Sequence, residues 1–101
     1  MIEQIKANFT ESIQTKIAAS EILPESIEKA AMMMVEALIR GNKILSCGNG
    51  GSAANPSHSA GDWSKEIDAR TFCLSDNTAA LTAWANDTDY SNVFSSQLKT
   101  Y

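Results

Sequence analysis

Basic residues are scarce and scattered in this chain: eight Lys and Arg stand against twelve Asp and Glu, for a net charge of −4 over 101 residues. That balance argues against a protein that coats nucleic acid directly, which needs a basic face. No run of about 18 apolar residues occurs, which excludes a membrane-spanning helix. The opening residues, MIEQIKANFTESI, lack the basic start and apolar core of a secretory signal, so the chain is expected in the cytoplasm. Histidine occurs once, too few for a multi-histidine zinc site built from this chain alone. There are two cysteines, Cys47 and Cys73. They are expected as free thiols, packed as small buried apolar side chains near the ends of strands. No internal repeat, low-complexity tract or linker interrupts the chain.

What remains is ordinary for one small globular domain: 44% apolar and 20% charged residues. A domain of this size buries a limited share of its surface, so association with further copies is expected. Residues 2–21 place Ile2, Ile5, Phe9, Ile13 and Ile17 at helical spacing, a long amphipathic helix with a narrow apolar stripe. That stripe predicts packing against partner helices. Pro24 interrupts it, disfavours helix at Leu23, and suits the start of a second helix over 24–40. In that helix Met32, Met33 and Met34 run all round the cylinder and read as core packing. Gly41 and Asn42 end it.

The most informative stretch is residues 43–62, KILSCGNGGSAANPSHSAGD. It reads as a short buried strand over 43–47, a glycine-rich turn, and a helix over 52–66. Gly50 and Gly51 let the backbone approach a ligand closely, and Ser52 is a good N-cap. The helix then turns free N–H groups and the positive end of its dipole toward the turn, a means of holding an anion such as a phosphate. Pro56 lacks an N–H, so either the helix starts later than Ser52 or its first turn is distorted. Residues 48–53 also satisfy the dinucleotide pattern G-x-G-x-x-[GA], but the ribose-binding acid is poorly matched by Asp76. A ligand-free tight turn is the plainest alternative.

His58 and Asp62 stand at i, i+4 and can face one ligand. They suit part of a metal site, general acid–base chemistry, or simply a solvated helix face. Residues 69–74 read as a second strand, 75–77 as a turn with capping residues, 78–85 as a helix, and 90–98 as one more. Asn86 and Asp87 fall on the edge where α/β sheets bind ligands, or merely stop the helix. Trp63 and Trp84 read as core or interface aromatics. Strands alternating with helices make an α/β domain with a parallel sheet.

Two blocks carry a resemblance: GNKILSCGNGGSAAN at 41–55 and LTAWANDTDYSNVFSSQL at 81–98. They resemble the sugar isomerase (SIS) family, in the branch that holds bacterial phosphoheptose isomerase and the DnaA initiator-associating protein DiaA. Residues 5–58 look most like the initiator-associating side, and residues 59–98 more like isomerases. The resemblance implies the N-terminal half of a three-layer αβα fold with a parallel sheet. Residues 1–41 would form a preceding helical pair, and 42–101 the first βαβα part of the sheet domain. It implies a sugar phosphate bound by Asn49, Gly50, Gly51, Ser52, Asn86 and Asp87, and zinc at His58 and Asp62. Asp62 would be the catalytic acid/base of an aldose–ketose isomerisation, standing where isomerases usually carry glutamate. The family's Ser/Thr-rich phosphate loop and a later Gln and His would lie beyond residue 101. A homotetramer is implied, and on the alternative reading a non-enzymatic partner of the DnaA initiator in chromosome replication.

Overall fold

The computed structural model describes residues 1–101, and the chain divides into two compact units, Met1–Val35 and Glu36–Tyr101. In the first, α1 (Ile2–Ile22) is followed after a single residue by α2 (Pro24–Ile39), which runs on into the second unit. Pro24 occupies the first helical position, where its missing N–H costs nothing. Leu23 nevertheless stays in the right-handed helical region, at φ −86° and ψ −22°. It donates to the Ala19 carbonyl and accepts from Ile27. The break is therefore one residue long, and those two bonds outweigh the steric bias that proline places on its predecessor.

Neither helix buries any residue. The stripe on α1 has the expected spacing, but it faces solvent, with Phe9 68% and Ile17 58% exposed. Met32 and Met33 are exposed as well, so the core packing expected of the methionine run is not made within this chain.

The second unit opens on the end of α2. Gly41 takes φ +76°, its N–H bonds to the Leu38 carbonyl, and the Asn42 N–H reaches back to Ala37. That is a Schellman closure, as Gly41-Asn42 predicted. Next come β1 (Ile44–Ser46), α3 (Gly51–Ile67) and β2 (Thr71–Cys73). The strands pair in parallel with Ile44 opposite Thr71, Leu45 opposite Phe72 and Ser46 opposite Cys73. Both are shorter than expected, three residues each, although flanking bonds from Ile44 to Arg70 and from Leu74 to Ser46 extend the ladder at each end. Parallel strands need a crossover, and α3 supplies it. Ala60 on α3 is buried, and its carbonyl accepts from the Thr71 hydroxyl on β2 at 2.7 Å.

Beyond β2, Asn77 caps α4 (Thr78–Asp87), its side chain accepting from Ala80 at 3.0 Å. The helix runs two residues past the predicted end, so Asn86 and Asp87 form its last turn instead of stopping it. The single helix expected over 90–98 is instead a 3₁₀ turn, Tyr90–Asn92, and a short α5 (Ser95–Leu98). Between them Val93 is 1% exposed. Gln97 is buried too, and its amide donates to the Leu74 and Val93 carbonyls at 3.0 and 2.9 Å. The core of this unit is Ala60, Ala69, Cys73, Leu74 and Val93. Ala60 and Ala69 lie toward the start of β2, while Cys73, Leu74 and Val93 gather at its C-terminal end, beside the loops that carry the candidate site.

Candidate functional site

The turn between β1 and α3 is tighter than its sequence suggested. The N-cap is Gly50, at φ +54° and ψ −127°, and no side chain caps the helix. Ser52, expected as the cap, lies inside the first turn. Its N–H bonds to the Asn49 carbonyl at 2.9 Å, and the Ala53 N–H to that of Gly50 at 3.0 Å. Two of the first N–H groups are thus already used in 3₁₀-type bonds, while those of Gly50 and Gly51 join no such bond. They remain, with the positive end of the helix dipole, as uncommitted donors at the start of α3.

Pro56 sits in the sixth position of α3, and the helix starts before it rather than after it. Having no N–H, Pro56 leaves the Ser52 carbonyl without its i+4 donor. That same carbonyl presses on Gly48: a Cβ placed there would lie 1.7 Å from Ser52 O. Gly48 is therefore the residue the turn sterically requires, whereas a Cβ at Gly51 meets nothing within 4 Å.

The turn is also fastened from beyond β2. Ser75 accepts from the Gly48 N–H at 3.0 Å and donates to the Gly48 carbonyl at 2.7 Å, joining the C-terminal ends of the two strands. Tyr90 donates its hydroxyl to Asn49 Oδ1. Asn86 donates to Asp87 at 3.0 Å in the last turn of α4, three residues before Tyr90. The candidate residues Asn49, Gly50, Gly51 and Ser52 are thereby tied to the segment that carries Asn86 and Asp87. Ser75 and Tyr90 were not singled out in the sequence. Ser75 follows β2 directly, on the strand edge where α/β sheets hold ligands, which is a usable signal. Tyr90 has none.

His58 and Asp62 meet, with Nε2 3.2 Å from Oδ2 and both side chains mostly exposed. The contact is an ion pair only when the imidazole is protonated. By helical geometry Gly51, His58 and Asp62 share a face of α3, but His58 lies about 10 Å and Asp62 about 16 Å along the axis from Gly51. The structure thus pairs the two side chains and sets them a good distance along the helix from the turn. No group of three or more His, Cys, Asp or Glu comes together in the chain. Two donors do not fit the four-coordinate shell that zinc requires, so the residues of this chain do not by themselves make a zinc site.

Cys73 is fully buried, as expected, but Cys47 is exposed, because it follows the last residue of β1 into the turn. Trp63 is half-buried and Trp84 is exposed at 39%. Asp89 caps the 3₁₀ turn, accepting from the Ser91 N–H at 2.9 Å. Hydrogen bonding from Ser91, its side chain first and its N–H second, holds the Asp89 carboxyl below its ordinary value.

Residues 8–99 match the SIS domain family. The phosphoheptose isomerase of Alteromonas mediterranea is 59% identical over 104 residues, covering 98% of this chain and 52% of that protein. The solved structure of phosphoheptose isomerase from Neisseria gonorrhoeae superposes with a TM-score of 0.90 at 42% identity, over 97% of this chain and 53% of that one. The Francisella tularensis phosphoheptose isomerase gives 0.85 at 34%, over 97% and 52%. The chain belongs to the SIS domain family and spans about half the length of the relatives it matches.

Proposed function

We propose that this chain forms one wall of a sugar-phosphate site and serves an aldose–ketose isomerisation of the phosphoheptose type. One observation carries the reading: a glycine turn held open at the N-terminus of α3, with the N–H groups of Gly50 and Gly51 outside the local bonding and the Asn49 side chain at its rim. In this role the two N–H groups and the dipole hold the phosphate, with Ser52 beside them, and Asn86 and Asp87 contact sugar hydroxyls. Asp62 acts as the base: its carboxylate takes the proton from the hydroxyl-bearing carbon next to the carbonyl to give an enediolate, the hydroxyl proton passes to the former carbonyl oxygen, and the Asp62 carboxyl returns its proton to the former carbonyl carbon. His58 orients that carboxylate through the 3.2 Å contact. The similar proteins bear the phosphoheptose isomerase name, and no feature of the site favours the alternative of an initiator partner.

The test is calorimetric titration of the chain with sedoheptulose 7-phosphate. A wall of a few charge-assisted hydrogen bonds supports a dissociation constant on the order of 1 mM. Asn49→Ala should weaken binding, and Asp62→Asn should leave binding intact while abolishing any turnover. No heat of binding at concentrations well above that constant would defeat the reading.

We further propose that the exposed stripe on α1 is covered by another copy of the chain, in a homo-oligomer of the tetrameric kind. The stripe is long, apolar and unburied within the chain, which is the condition under which a helix seeks a partner.

A further inference from the structure

We propose that Tyr90 is a positioning residue, whose hydroxyl locks the Asn49 carboxamide so that its NH₂ group, not its oxygen, is presented to the bound phosphate. The proposal rests on the sugar-phosphate reading of the turn. A carboxamide has two ends of opposite character: the oxygen only accepts hydrogen bonds and the nitrogen only donates them. A phosphate dianion offers acceptors alone, so an Asn that turns its oxygen toward it repels it. The backbone of Asn49 is fixed, its carbonyl taken by the Ser52 N–H, but its side chain is exposed and nothing in the turn itself selects one amide orientation.

Tyr90 supplies the selection from 41 residues away. A phenol hydroxyl donates to Asn49 Oδ1, which leaves Nδ2 with both hydrogens free. Tyr90 is 56% exposed, but its backbone is well anchored. Its backbone carbonyl accepts from the Val93 N–H at 3.2 Å, and Val93 is buried in the core. Asp89 caps the 3₁₀ turn on the other side, and Gln97 fastens the Val93 carbonyl to that of Leu74 at the end of β2. The ring thus reaches the turn from a rigid base. Phenylalanine would keep that ring on the same backbone and lose only the donor.

The experiment uses the full chain, labelled with ¹⁵N, and follows the Asn49 side-chain NH₂ signals while sedoheptulose 7-phosphate is added. In the parent those signals should shift on titration. In Tyr90→Phe they should already differ in the free protein, and the affinity should fall on the order of two- to tenfold, the value of one lost hydrogen bond. Asn49→Ala should lose affinity too, and adding Tyr90→Phe to it should change nothing more, since the tyrosine acts only through the amide. A Tyr90→Phe chain with unchanged Asn49 signals and affinity overturns the proposal, as does a Tyr90→Phe effect that persists in the Asn49→Ala background. A parent chain that shows no shift with the sugar phosphate overturns the underlying functional reading and, with it, this role for Tyr90. The free-protein difference between parent and Tyr90→Phe distinguishes that outcome from a missing Tyr90–Asn49 bond.

Discussion

Replacing Gly48 with alanine tests how tightly the glycine turn is built. The new methyl carbon would stand 1.7 Å from Ser52 O, 2.5 Å from Ser52 C and 3.2 Å from Ala53 N. All three are backbone atoms, so no side-chain rotation relieves the overlap. An ordinary carbon–oxygen contact is about 3.3 Å or more, which calls for a shift of roughly 1.6 Å. Gly48 is held on both its N–H and its carbonyl by Ser75, while Ser52 and Ala53 are tied to Asn49 and Gly50. Separating the two segments strains or breaks those four bonds, at about 1 kcal/mol each. The expected loss is about 3–4 kcal/mol, a large fraction of the stability of a small domain. For a domain of this size each kcal/mol moves the midpoint by about 4–8 °C, so the melting temperature should fall by roughly 12–30 °C. Gly61→Ala is the matched control. Gly61 lies in the interior of α3 with nothing within 4 Å of a Cβ, and alanine there should stabilise by about 0.5–1 kcal/mol. Thermal melts followed by circular dichroism read both variants. A Gly48→Ala chain that melts with the parent, or a shift of the same sign and size in the two variants, would refute the reasoning.

Ser75→Ala removes both bonds to Gly48 in a part-buried setting and should cost about 2 kcal/mol, read as a lower urea midpoint; an unchanged midpoint would remove Ser75 as the clasp between the strand ends. The Asp89 carboxyl has a folded value below its ordinary 3.8. Its contribution is therefore complete above the unfolded value and lost as pH falls through the lower folded one. A carboxyl titration by NMR should find Asp89 below the ordinary aspartate value of 3.8, and Ser91→Pro, which removes the N–H and the hydroxyl together, should bring it back toward that value. Phe9→Glu puts a charge in the exposed stripe of α1 and should lower the mass measured by light scattering; a parent that is already monomeric at high concentration would dispose of the oligomer.

Most of the architecture could be read from local patterns. Helical spacing marked α1 and α2, Gly41-Asn42 marked the end of α2, and Asn77 marked the start of α4, because each depends on residues a turn or less apart. The strand ends and the region after Asp87 were less legible. Residues 90–98 carry a helix-compatible pattern, but burial of Val93 and Gln97 against the end of β2 breaks the helix into a 3₁₀ turn and a short α5. Burial of the Met run is not legible for a related reason. A pattern shows which face is apolar, not what covers it, and within this chain nothing covers Met32 or Met33.

The glycine turn shows the same limit at the site itself. Read alone, residues 48–52 suggest one wall of an anion cradle in which glycine gives room and Ser52 caps the helix. In the structure Ser52 caps nothing, and the room is taken up by its own carbonyl, which Pro56 leaves without a donor and which sets Gly48 as the one residue that fits. The shape of the cradle is then maintained by a serine 27 positions from Gly48 and a tyrosine 41 positions from Asn49. Neither follows a period or a spacing rule, because hydrogen bonds at that separation exist only once the parallel pairing of β1 and β2 has brought the loops together. On the proposed reading the turn supplies the donors for an anion, and their aim depends on residues beyond β2. Substitutions at Ser75 and Tyr90 should therefore disturb the site from outside the turn, by the one or two hydrogen bonds each removes.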